Sequence, residues 1–145
     1  MSTRSAVIVK QEGQQDVYLY HHFDGYPDGV GYSLLCESKT WNEWNKWYNN
    51  SIVNELIKDK EDDGYEFTQY IHSDIEYLYI IDCDKKKISC FQVLWGLSEP
   101  EEKQLMVSEQ NHWKKYEDIY NGKWGKEIDL YQKFPQVFNA EEKGE

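Results

Sequence analysis

Eleven consecutive residues, His21-His22-Phe23-Asp24-Gly25-Tyr26-Pro27-Asp28-Gly29-Val30-Gly31, hold two imidazoles, two carboxylates, a phenol and three glycines. A glycine-rich passage from a strand into a helix aims backbone N–H groups into one space, and a helix N-terminus adds partial positive charge. A phosphate or carboxylate could be held there without any arginine. On that reading His22, Asp24, Gly25, Tyr26, Asp28, Gly29 and Gly31 form the site. Tyr26 or a tryptophan then stacks on a base, and His22 serves as acid or base. The spacing matches neither G-x-G-x-x-G nor G-x-x-x-x-G-K-[ST], so it carries no nucleotide-loop specificity. Asp24 and Asp28 oppose an anion unless they face away. The plainer reading is steric, a tight corner that needs glycine for want of room.

Metal chemistry is a weaker expectation. His21, His22, Asp24 and Asp28, joined by His72 and Asp74, supply ligand types. Neighbours on a strand point to opposite faces, however, so His21 and His22 cannot chelate together. No H-x-x-x-H or Cys/His pair sets a zinc geometry, and no metal or cofactor is assigned. His72-Ser73-Asp74 offers the residue types of a nucleophilic triad, but sequence neighbours seldom form one, and a turn is the better reading. Cys36, Cys83 and Cys90 contain no C-x-x-C pair and read as small structural thiols in a reducing compartment. A redox role for Cys83 and Cys90 would need proximity and the charge of Lys85, Lys86 and Lys87. No catalytic residue is assigned.

The elements that must position the loop follow from patterning. Ser5–Lys10 and Asp16–His22 read as a hairpin around Gly13, and Asp28 as the N-cap of a helix carrying Val30, Leu34 and Leu35. From Trp41 to about Asp59 the spacing of Trp41, Trp44, Tyr48, Ile52 and Leu56 predicts one helix, with Trp47 at the margin of its apolar face. Tyr65–Ile71, Ile75–Asp82 and Lys87–Leu94 read as strands, the middle one central because both its faces are partly apolar. A capping box at Ser98–Glu101 and aromatics at Trp113, Tyr116 and Tyr120 predict a helical C-terminal third. The expected fold is α+β: an antiparallel sheet of about five strands covered by helices on one face. Residues 1–135 form one domain in this reading, and 136–145 an acidic tail.

The 145-residue chain carries 16 basic and 27 acidic residues, a net charge of −11, and Arg4 is its one arginine. This argues against direct binding to nucleic acid or to anionic lipid. No apolar run reaches the roughly 18–20 residues of a membrane span, and the N-terminus shows no signal-peptide pattern. The acidic surplus reads either as a solvated face or as a surface that occupies a basic nucleic-acid channel. Aromatic residues make up 16% of the chain, enough to fill a core or to form an oligomer face through Trp47 and the C-terminal rings.

The opening MSTRSAVIV, the HHFDGYPDGVG segment and the HSDIEYLYIID run together resemble a group of small uncharacterised proteins encoded by bacteriophages and prophage regions. The likeness spans about residues 1–95. His22, Asp24, Gly25, Tyr26, Pro27, Gly29 and Gly31 match its first motif, and Asp74, Ile75, Glu76 and Tyr77 its second. The resemblance implies no catalytic role. It implies work in the host cytoplasm, as an accessory factor that neutralises a host defence by binding. The leading expectation is therefore a non-enzymatic, acidic anti-defence inhibitor that binds a protein partner, such as a basic nucleic-acid-binding host protein. Its rivals are a binder or minor hydrolase of a small nucleotide-like anion at Asp24–Gly31, and an assembly subunit.

Overall fold

The computed structural model describes residues 3–58, 65–68, 75–93 and 125–137. Six strands form one sheet: β1 (Ser5–Lys10), β2 (Val17–His21), β3 (Glu66–Thr68), β4 (Tyr77–Asp82), β5 (Lys87–Val93) and β6 (Gly125–Ile128). Their order is β3-β2-β1-β4-β5-β6. The β1–β2 hairpin closes through Gln14 N–H donating to the Gln11 carbonyl, with Gly13 at φ 81° in the third turn position, where positive φ favours glycine. The sheet is mixed, not antiparallel, because β4 lies parallel to β1, Ser5 opposite Tyr77 and Lys10 opposite Asp82. A parallel pair needs a long crossover, and the helices between β2 and β3 belong to it. β4 is central, as its two-sided apolar pattern predicts. Tyr79 and Ile81 face one side and Leu78 and Ile80 the other, all less than a tenth exposed.

A π-helical turn at Pro27–Gly31 leads directly into α1 (Tyr32–Glu43). Asp28 is therefore no N-cap. It sits inside the first turn, whose cap position is Tyr26, with no side-chain cap bond. The single helix expected from Trp41 to Asp59 is two. α1 stops at Trp44, and α2 (Asn49–Lys58) starts afresh. Asn45 takes φ 51° while Lys46 N–H donates to the Trp41 carbonyl at 2.8 Å, the bond of a Schellman stop with asparagine in the left-handed position. The break resets the helical register. Trp44 and Tyr48, expected on the buried stripe, are 68% and 53% exposed. Trp47, expected at the margin, is buried edge-on against Trp41 with ring centroids 5.1 Å apart.

α1, α2 and the one-turn α3 (Leu130–Lys133) pack on one sheet face, where Val7, Val9, Leu19, Tyr79 and Ile81 meet Leu34, Leu35, Trp41, Ile52 and Leu130. The opposite face, with Ala6, Ile8, Tyr20, Leu78 and Phe91, is buried too, so its strands read as continuous apolar runs. The described part of the C-terminal third begins with a strand, β6, followed by α3, and the helices expected around Ser98–Glu101 and Trp113–Tyr120 fall outside the described residues. Residues 94–124 and the tail from 138 lie outside the described residues. Among the described residues no helix is long and apolar enough to cross a membrane.

Asn49 anchors α2 to the β1–β2 hairpin. Its buried amide donates to the carbonyls of Val9 and Gln15, and its backbone N–H donates to Gln11 Oε1. Asn49→Ala removes these buried side-chain bonds and should cost about 1–3 kcal/mol, read as a lower urea midpoint at unchanged slope.

The thiols Cys83 and Cys90 are free and buried, and burial pushes them up to about 11 and about 12. A reactive thiol needs the opposite shift, which favours the structural reading over the redox one. In the native state an aromatic disulfide reagent should titrate exposed Cys36 quickly, the other two reacting only on unfolding. The unfolded chain loses these protons above its ordinary value of 9.0 while the folded chain keeps them. This contribution to stability is therefore complete below pH about 9 and lost as pH climbs toward 11–12, with Tyr79, also raised by burial, adding to the same slope. A melting temperature that falls above pH 9, less steeply in Cys90→Ala, checks the assignment.

Candidate functional site

The end of β2 divides its two histidines, as strand alternation requires. His22 turns to the face of Tyr20, whose ring it meets edge-on at 4.6 Å, and its Nε2 lies 3.1 Å from Glu66 Oε2. His21 turns to the helix side, 4% exposed, with its ring 4.6 Å from that of Tyr65.

The glycines of the corner answer to crowding. Gly25 N–H donates to the Thr3 carbonyl at 2.9 Å, and a Cβ on Gly25 would come within 2.7 Å of Ser5 Cβ. On Gly29 it would run into the carbonyl oxygen of Asp24, and on Gly31 it would press on Leu130 and the Tyr79 ring. Asp24 takes φ 52°, which lets its carbonyl accept from Val30 N–H at 2.9 Å, while Gly29 N–H donates to the Tyr26 carbonyl. Beneath the corner the Tyr79 hydroxyl donates to the Gly25 carbonyl at 2.6 Å. The amides of Gly25, Gly29 and Val30 are thus bound within the chain. An anion cradle loses those donors, and the steric account of the glycines is the one these contacts support.

Beside the corner lies a cleft of about 330 Å³, walled by His21, Asp24, Gly29, Val30, Ser33, Glu37, Glu55, Leu56 and Tyr65. Five segments build it. β2 contributes His21, the corner Asp24 and Gly29, and α1 presents Ser33 and Glu37 one turn apart. α2 adds Glu55 and Leu56, and Tyr65 leads into β3. Glu55 is held by Trp41, whose indole N–H donates to its Oε2 at 2.7 Å. Three carboxylates line it, and no lysine or arginine is among the described wall residues.

Of the residues singled out in the sequence, Asp24 and Gly29 line the cleft. His22, Gly25, Tyr26, Asp28 and Gly31 do not. Tyr26 is exposed, its hydroxyl donating to Asp24 Oδ1 at 3.3 Å, and the Asp24 charge holds that phenol above its usual range. Asp28 pairs with Lys133 at 3.7 Å. Glu37, Glu55 and Tyr65 escaped the sequence reading because carboxylates are common in this chain and the cleft joins distant segments. His21 had a usable signal, the alternation that sets it beside Leu19. Among the described residues no three His, Cys, Asp or Glu side chains gather as a metal site. His72, Ser73 and Asp74 lie outside the described residues.

Gly29→Ala should destabilise the fold by about 3 kcal/mol, since backbone must move to admit the methyl group. Gly13→Ala, with nothing within 4 Å and only its φ of 81° against it, should cost about 1 kcal/mol in the same denaturation assay. Compared with protein-family models, curated proteins and solved structures, the chain has no match in any of the three.

Proposed function

We propose that this chain is a non-enzymatic, acidic binding protein that engages a basic protein partner, in the manner of a phage-type inhibitor of a host defence. The observation that carries the reading is the cleft beside the corner, lined by Asp24, Glu37 and Glu55 with no lysine or arginine among its described wall residues. A net charge of −11 favours the same class of partner at long range. The likeness of the glycine and D-I-E-Y segments to phage and prophage proteins supports the biological setting as analogy. The rival, a small nucleotide-like anion held at Asp24–Gly31, is disfavoured by the internal bonds of the Gly25, Gly29 and Val30 amides.

Binding to purified basic nucleic-acid-binding proteins from host defence complexes should be measurable, and should weaken at least tenfold when salt rises from about 0.05 to 0.5 M. Nucleotides should leave the melting temperature unchanged. Absence of binding to every basic protein tried, or affinity indifferent to salt, would overturn the proposal, as would a clear rise in melting temperature with a nucleotide.

A further inference from the structure

We infer that the cleft seats a guanidinium group, presented by an arginine side chain of the basic partner. The inference deepens the reading above and rests on it for the source of the arginine. Its argument is charge complementarity combined with the shape and lining of the cavity. Asp24 and Glu37 are exposed carboxylates on the corner and on α1, and half-buried Glu55 faces them from α2. The Trp41 indole fixes one oxygen of Glu55, so that carboxylate is already oriented. Lys133 of α3, which reaches the corner, is engaged with Asp28.

The rest of the lining distinguishes arginine from lysine. The Tyr65 ring, braced against His21, offers an aromatic surface in a cavity that also contains carboxylates. A planar, weakly hydrated guanidinium stacks on such a ring while its N–H groups reach carboxylates on several sides. An ammonium is a compact, strongly hydrated point charge and uses this combination less well. Val30 and Leu56, both buried, supply apolar surface for the alkyl stem. Phe23 and Tyr26, 47% and 40% exposed, flank Asp24 in the chain and give the partner's neighbouring residues an aromatic contact.

The test is an NMR titration of the whole chain with N-acetyl-arginine amide and, separately, N-acetyl-lysine amide. Arginine amide should saturate, shifting resonances of His21, Gly29, Leu56 and Tyr65, and should bind about threefold more tightly than lysine amide. Asp24→Asn and Glu37→Gln should each weaken it about threefold. Both variants should fold, because asparagine tolerates the positive φ at position 24 and Glu37 is exposed on a helix. Equal response to the two amides, shifts that do not saturate, or indifference to the double variant Asp24→Asn with Glu37→Gln would overturn the inference. Two further outcomes separate it from the reading it deepens. Salt-sensitive binding of a basic protein that survives the double variant leaves the partner standing and removes the cleft. Arginine amide saturating the cleft, with no basic protein bound, keeps the cleft and removes the partner.

Discussion

The hydrogen bond from the Tyr79 hydroxyl to the Gly25 carbonyl ties the centre of the sheet to the corner that shapes the site. Both groups are buried, so either left alone would carry a desolvation penalty. The bond places the middle of β4 directly under the chain leaving β2. That proximity, with Leu130 of α3 closed over the turn, leaves no room for a side chain at 31, while Ser5 and Thr3 exclude one at 25. Tyr131 extends the closure, its hydroxyl accepting from Ile88 N–H on β5 at 2.9 Å. One phenol thus coordinates strand, corner and α3.

The same closeness explains why a motif suited to phosphate binding in composition is not suited in geometry. Glycines bind anions when they leave amides unpaired and pointing outward. Here the Gly25, Gly29 and Val30 amides are turned back onto Thr3, Tyr26 and Asp24. What remains outward is the carboxylates, and the corner hands Asp24 to a cavity already lined by Glu37 and Glu55. The electrostatic sense of the site is therefore opposite to that suggested by a glycine-rich loop alone.

Strand positions were readable from patterning because β-branched and aromatic runs bounded by turn residues leave few alternatives. β1 fell where expected to the residue, and β4 lay at the centre, as its two-sided pattern required. The parallel pairing of β1 with β4 was not readable, since pairing partners depend on how a long crossover returns. The helix break was missed for a local reason. Trp44, Tyr48 and Ile52 keep helical spacing across a stop made by Asn45, and asparagine in the left-handed region gives only a faint signal. Of the seven candidate residues, Asp24 and Gly29 proved to be rim, and the other five do not reach the cleft. Local sequence sees crowding poorly, because the atoms that crowd Gly25 and Gly31 come from Ser5, Tyr79 and Leu130.

The pairing of β1 bears on biosynthesis. Translation delivers Val17–His21 soon after Ser5–Lys10, so β1 has its hairpin partner at once. The other edge of β1, made of Ala6, Val7, Ile8 and Val9, must wait for Tyr77–Asp82 to emerge from the ribosome. Until then a hydrophobic ribbon with unsatisfied backbone groups lies open to any passing strand. The nascent protein therefore passes through a sticky interval whose length is set by the speed of elongation, and slow codons between the two strands would prolong it.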